Sequence, residues 1–345
     1  MKKYLSILSI ALVFAGNARA QEALKEPWLV KALTGAAIEQ VKAETSGGNI
    51  TVTGADAEAR IEVFVRPGNS RNKNASREAI RKTLEENYTL SVTAENHTLT
   101  AIAKPNKGFK DWNNSLSISF KITVAHKVSA HLLTSGGNIS LSALSGTLDF
   151  TTSGGNLVVD HLGGHINGTT SGGNIIMTEL QDDITLTTSG GNIDAKNSNG
   201  KMKLSTSGGS LLLHNLNGSI NASTSGGNVE ASEVEGDLAA HTSGGNIRMA
   251  ALSCSLETST SGGNITVSMK ALGKYVKISN SGGHVDLEVP QGKGIDLKLY
   301  AEKVSTSGIS GFTGKTEKDK VDGTLNGGGI PVTVHGGSRI SFTVR

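Results

Sequence analysis

Thr134-Ser135-Gly136-Gly137-Asn138-Ile139 returns as Thr152-Ser153-Gly154-Gly155-Asn156-Leu157 and again as Thr170-Ser171-Gly172-Gly173-Asn174-Ile175. The serine of this phrase stands at Ser135, Ser153, Ser171, Ser189, Ser207, Ser225, Ser243 and Ser261, so every successive interval is 18 residues. A repeat kept without insertion gives each copy the same geometric slot, which is the mark of a solenoid. A second landmark falls eleven residues after the serine, at Gly146, Gly164, Asp182, Gly200, Gly218, Gly236 and Cys254. Two landmarks predict two turns and two strand-like segments per coil. Outward from this array, Ser281 follows after 20 residues, a degenerate Ser307-Gly308 after a further 26, and one copy, Ser46–Ile50, lies far upstream.

Parity separates the faces of each predicted strand. Ile139/Leu141, Leu157/Val159, Ile175/Met177, Ile193/Ala195, Leu211/Leu213, Val229/Ala231, Ile247/Met249 and Ile265/Val267 read as inward pairs. In the second segment Leu148, Ile166, Ile184, Met202, Ile220, Leu238 and Leu256 point inward, alternating with mostly polar residues. Period-two alternation is the signature of a half-buried strand. Equal positions 18 residues apart must then stack ~4.8 Å apart. The Gly-Gly pairs are expected to supply positive φ where the chain reverses. Asn138, Asn156, Asn174, Asn192, Asn228, Asn246 and Asn264 suit a stacked amide ladder and a simple turn equally, with Ser210 and His284 as breaks. Three hexapeptides per coil would need an apolar residue every six positions. Ser145 and Gln181 stand at those places, so a left-handed hexapeptide helix is excluded. The calcium-binding nonapeptide is absent as well.

The reading is therefore an all-β protein, a β-solenoid (parallel β-helix) with 18-residue coils, capped by a mixed N-terminal region containing a short helix. Its expected parts are a signal peptide at 1–20, an N-terminal coil with a cap-like β-rich region at 21–133, regular repeats at 134–300, and C-terminal coils and cap at 301–345. Strands are expected at Ile61–Val65, Tyr88–Val92, Leu116–Phe120, Val332–Val334 and Ile340–Phe342. A helix is expected from Ala75 to about Asn87, capped by Asn74 or Ser76.

Lys2 and Lys3, an apolar run from Tyr4 to Gly16 and Ala18-Arg19-Ala20 before Gln21 have the order of a cleaved export leader. Periplasmic, outer-surface and secreted destinations all fit it. No further apolar run is long enough to span a membrane as a helix. The whole chain carries 33 basic and 30 acidic residues. Removing Lys2, Lys3 and Arg19 leaves 30 against 30, and a neutral chain lacks the broad positive field used for nucleic acid. Residues 60–127 hold 12 Lys and Arg against 6 Asp and Glu, read as a solvated face. Cys254 is the single cysteine, which excludes an internal disulfide and a thiolate zinc site. It stands at a turn-glycine position as a tolerated small residue, with an intermolecular crosslink as the alternative.

One Ser-Gly-Gly-Asn-Ile coil at Ser46–Ile50, an Ile-Glu-Val-Phe-Val strand at Ile61–Val65, a variable insertion, a strand at Ser119–Val124 and then serial coils make up a recognisable order. Over roughly residues 38–300 the chain resembles the bacterial β-strand-repeat family described as "putative adhesins", a domain family of unknown function. The resemblance implies a solenoid fold and an envelope location. Ala125-His126 stands where that family usually has a proline.

No catalytic constellation is legible. The outward column Asp149, Asn167, Thr185, Lys203, Asn221, Ala239, Glu257 holds its acids several coils apart, not ~5–9 Å as in glycoside hydrolysis. His241 has Ser223 and Ser259 as its vertical neighbours and no acid in its column, so no triad forms. His161 and His165 fall on different sides of a turn without a carboxylate cluster, and no metal or cofactor site is expected. The candidate binding face is the column Thr151, Thr169, Thr187, Ser205, Ser223, His241, Ser259. Ice binding is disfavoured because the adjacent column is mixed and charged. Val158, Ile176 and Leu212 form an outward apolar run broken by Asp194. The expected role is non-enzymatic: an adhesin-like or envelope-scaffold protein binding a cell-surface glycan or an envelope protein. The alternatives are a polysaccharide lyase or hydrolase on a β-helix and an envelope-stress sensor.

Overall fold

The computed structural model describes residues 26–35, 37–69, 75–109 and 112–345. The leader and Asn74 lie outside them. The chain divides into two compact units, one ending at Gly155 and the other beginning at Asn156.

The second unit is a parallel β-solenoid. Ile175, Ile193, Leu211, Val229, Ile247 and Ile265 pair in register, each 18 residues from the next. The inward residues read from parity are buried here and in the first unit, from Ile139 and Leu148 to Ile265 and Val267. Each buried aliphatic side chain contributes about 1.5–3 kcal/mol, and a single coil could not bury them alone. The 20-residue interval before Ser281 is absorbed by a register shift in which Leu256 pairs with Val276. No described helix is long and apolar enough to cross a membrane.

From Gly164 to Gly236 the second landmark is a corner with left-handed φ, from +76° at Asp182 to +122° at Gly218, while Cys254 at the same place does not have it. A further corner was not legible. The residues three positions earlier, His161, Glu179, Asn197, Asn215, Glu233 and Ala251, also have φ between +50° and +56°. Between the two corners sits a third buried column of Leu162, Leu180, Ser198, Leu216, Val234 and Leu252. The corner resets the parity, so period-two reading runs past it. Ser198 is tolerated there because its hydroxyl donates to Lys196 O (2.7 Å) and accepts from Leu180 N (3.0 Å).

The Ser-Gly-Gly-Asn corner corrects the expectation about glycine. None of its described glycines has left-handed φ. The second glycine is needed for space instead: a Cβ on Gly191 would lie 2.0 Å from Gly173 O in the coil before it. A Cβ on Gly190 would meet nothing closer than 3.6 Å. The threonine before the serine is buried and closes the corner. Thr206 Oγ1 donates to Gly191 O (2.8 Å) and accepts from Gly209 N (3.2 Å), tying successive coils. The asparagines form a ladder of side chain to backbone: Asn192 N donates to Asn174 Oδ1 (2.8 Å). Ser210 does not break it, because its Oγ accepts from Asn228 N (3.1 Å) and its own N–H donates to Asn192 Oδ1 (2.8 Å). A rung between two side-chain amides does occur, at the other corner, where Asn215 Nδ2 donates to Asn197 Oδ1 (2.9 Å).

The C-terminal coil is inserted into the stack rather than added to its end. Arg339–Val344 lies between His284–Val289 and Lys303–Ser307, parallel to both. Ile330–His335 lies between Val276–Ser279 and Ile295–Tyr300. Ser307 therefore ends a strand and is not a degenerate turn copy. The turn slot above Ser281-Gly282-Gly283 is filled by Gly336-Gly337-Ser338, with Ser338 Oγ donating to Gly283 O (3.0 Å). Lys320–Leu325 and Phe312–Thr316 then pair antiparallel and stop parallel growth.

In the first unit the outlying copy docks on the first regular coil across 89 residues. Asn138 N donates to Asn49 Oδ1 (2.9 Å), and Ile50 pairs with Ile139. One sheet continues from Ile50–Gly54 through Leu116–Val124 and Arg60–Pro67 to Leu29–Ala32, the last two antiparallel to their neighbours. The other runs from Ser129–Thr134 through Gln40–Thr45 and Thr98–Pro105 to antiparallel Tyr88–Glu95. The helix α1, Arg77–Asn87, is capped by Ser76, whose Oγ accepts from Ala79 N. It buries Ile80 and Leu84, four residues apart on one face. Tyr88 follows in extended conformation, and its hydroxyl accepts from Leu116 N (2.8 Å).

Candidate binding face

The hydroxyl column is continuous in the second unit. Thr169, Thr187, Ser205, Ser223, His241 and Ser259 are paired rung to rung, all at least partly exposed. Thr151 lies in the first unit, paired with Leu133. Within the column Ser223 Oγ is 3.2 Å from Ser205 Oγ, and Ser259 Oγ is 2.9 Å from His241 Nδ1. The donors and acceptors repeat at strand spacing, where hydroxyls and one imidazole can meet a polar polymer along its length.

His241 is not without an acid nearby. Glu257, one rung on in the adjacent column, is held below the usual carboxylate range by its bond to Lys277 (2.8 Å) and, less, by the His241 imidazole. Counting only vertical neighbours missed this diagonal contact. One oxygen of the carboxylate, Oε1, is taken by Lys277 Nζ.

Carboxylates also accompany His161 and His165. His161 Nδ1 is 2.9 Å from Asp160 Oδ2 and its Nε2 is 2.7 Å from Glu179 Oε2, while His165 Nδ1 is 3.2 Å from Asp183 Oδ2. Adding 18 to 161 and 165 finds Glu179 and Asp183, a signal that the intervals contain. Among the described residues no group of three or more His, Cys, Asp or Glu is disposed to hold a metal ion. The Asp160 bond, and then the charges of Asp160 and Glu179, raise the His161 pKa above its ordinary 6.5. The stabilisation from this contact is fully present below the ordinary value and is lost as pH rises through the folded-state value. An NMR titration of His161 should show a midpoint above 6.5, lowered by Glu179→Gln. A midpoint at or below the ordinary value, unchanged by that substitution, would contradict the contact.

On another outer side, Val158, Ile176 and Leu212 are 38%, 43% and 41% exposed, with Asp194 paired between Ile176 and Leu212. Asp194 Oδ2 bonds Lys196 (2.8 Å), while its Oδ1 is buried without a hydrogen-bond partner. Leu212, His214, Glu230 and Arg248 join Asp194 and Lys196 around a shallow cavity of about 580 Å³. Cys254 is buried beside Leu256, and burial pushes its thiol up to about 12. The folded chain presents no exposed sulfur there for a crosslink.

These features define an all-β solenoid of 18-residue coils. No family model and no curated protein matches the chain. Among solved structures, a "putative lipid binding protein" from Parabacteroides distasonis ATCC 8503 aligns at 16% identity and TM-score 0.32, over 92% of this chain and 96% of that one. A "putative adhesin" from Bacteroides fragilis NCTC 9343 aligns at 12% identity and TM-score 0.24, over 92% and 96%. A "putative cell adhesion protein" from Clostridium sporogenes ATCC 15579 aligns at 12% and 0.20, over 92% and 98%.

Proposed function

We propose that this chain is a non-enzymatic, exported β-solenoid that holds a cell-surface glycan or an envelope protein on a flat outer face, in an adhesin-like or scaffold role. The observation that carries the reading is the unbroken column from Thr169 to Ser259. Six consecutive rungs offer hydroxyl or imidazole groups at strand spacing. A rigid array of weak, evenly spaced donors suits a repeating ligand, since each rung adds a contact without new ordering of the protein. Export rests on the leader at 1–20, with the mature chain beginning at Gln21.

The test is a glycan and envelope-protein array probed with the mature chain, with reducing-sugar release followed in the same wells. Saturable binding without release is expected, weakened about tenfold by Thr169→Lys and by Thr187→Lys, which each place a long cation on the face. Release of sugar ends would overturn the non-enzymatic reading. Binding indifferent to both lysines would move the site off this column.

A further inference from the structure

We propose that the N-terminal end of the first unit docks on an anionic lipid surface. Among the described residues Leu29–Ala32 is the last strand of its sheet and pairs on one side only, with Arg60–Val63. Leu29 and Val30 are 38% and 56% exposed. Neighbouring residues in a strand point opposite ways, so both faces of this strand are open. In the other sheet Tyr88–Glu95 is last among the described residues, and its Leu90, Val92 and Ala94 are only half-buried. Leu99, Ala101 and Ala103 on the next strand are fully buried. The apolar interior of the unit is thus left partly open at this end.

Cations rim the opening. Lys31 Nζ donates to Val92 O (3.2 Å), which carries it from one terminal strand to the other. Arg77 and Arg81, one helical turn apart on α1, stand 5.2 Å and 5.9 Å from the ring centroid of Trp28. Of the acids nearby, Glu62 is engaged by Arg60 (3.2 Å) and Lys121 (3.6 Å) and Glu26 by Arg77 (3.8 Å), while Glu78 stands next to Arg77 in the first turn of the helix. Glu85 and Glu86 lie in the last turn of the helix, away from the Arg77 end. Residues 60–127 carry 12 basic against 6 acidic residues in a mature chain that is neutral as a whole, so the positive excess is local to this region.

Aliphatic side chains beside a tryptophan and arginines match the boundary between acyl chains and anionic headgroups. The cations read as a solvated face from sequence alone acquire a second role because exposed Leu29 and Val30 stand among them. A nucleic acid would use the charge but has no use for those aliphatics. The last hairpin of the second unit is built differently. Its Lys315, Glu317, Lys318 and Asp319 mix both signs and are exposed, which suits solvent.

The experiment is sedimentation of the mature chain with vesicles of phosphatidylcholine alone or mixed with phosphatidylglycerol. Partition should favour the anionic vesicles by at least about tenfold and fall as salt rises toward ~1 M, where the screening length is ~3 Å. Leu29→Ser with Val30→Ser should lower it about tenfold, and so should Arg77→Gln with Arg81→Gln, which removes no core packing. Thr169→Lys, on the proposed glycan face, should leave it unchanged. Equal partition to neutral vesicles, or none to either, would overturn the proposal. So would equally tight binding of soluble heparin by the Leu29/Val30 variant, since a free polyanion would then suffice.

Discussion

Gly191→Ala is expected to destabilise the solenoid by about 3–5 kcal/mol, while Gly190→Ala stays within about 1 kcal/mol of the parent protein. The two glycines are neighbours in one turn, and neither has left-handed φ. They differ in what lies underneath. A Cβ at Gly191 would sit 2.0 Å from Gly173 O, 2.4 Å from Gly173 C and 2.8 Å from Asn174 N. All three atoms are backbone of the preceding coil and cannot turn aside as a side-chain end could. Relief would need the coils to separate, which would stretch the bonds from Thr188 to Gly173 and from Asn192 to Asn174. At Gly190 the nearest contact is an ordinary 3.6 Å. Urea midpoints of the two variants, read by far-ultraviolet circular dichroism, distinguish the cases. Equal shifts would show that the turn, and not coil-to-coil contact, requires glycine.

Thr206→Val should cost about 2–4 kcal/mol and Thr206→Ser about 1 kcal/mol. Valine keeps the shape and buries as well. It leaves Gly191 O without its donor at 2.8 Å and Gly209 N without its acceptor at 3.2 Å. Both groups lie at a buried corner with poor access to water, so each loss carries a desolvation penalty. Serine keeps the oxygen and gives up only a methyl group. Hydrogen exchange gives a local readout: the Gly209 amide should exchange faster in the valine variant than in the serine variant. A valine variant as stable as the parent would mean that the threonine is retained for packing alone.

Both predictions rest on residues in the most conspicuous phrase of the sequence, yet their roles were not readable there. The 18-residue interval is enough to infer stacking, because identical inward positions can bury their apolar surface only against copies of themselves. Period-two alternation assigns Ile175 and Met177 inward and Thr187 outward for the same reason. These are one-dimensional facts, and a stacked fold preserves them. The third buried column, Leu162 to Leu252, was missed because a corner residue with left-handed φ, such as His161 or Asn197, changes which parity faces the core. Parity carries no information across a corner that no glycine or proline marks.

The candidate face divides in the same way. Its membership from Thr169 to Ser259 follows from counting. Its Ser259–His241 bond follows from counting as well, but the charge of Glu257 beside His241 comes from a diagonal neighbour that counting along one column does not reach. Glu179 beside His161 was within reach of the repeat interval, because stacking turns a separation of 18 residues into one rung.

The sequence by itself determined the coil, its length and its inward residues, because burial of a periodic apolar pattern has one efficient solution. Tertiary structure alone decided the ends. Ser46–Ile50 stacks on a coil 89 residues away, and Arg339–Val344 inserts between two earlier strands. The physical reason is that backbone hydrogen bonds at an open strand edge accept any extended segment, so local sequence cannot say which one arrives.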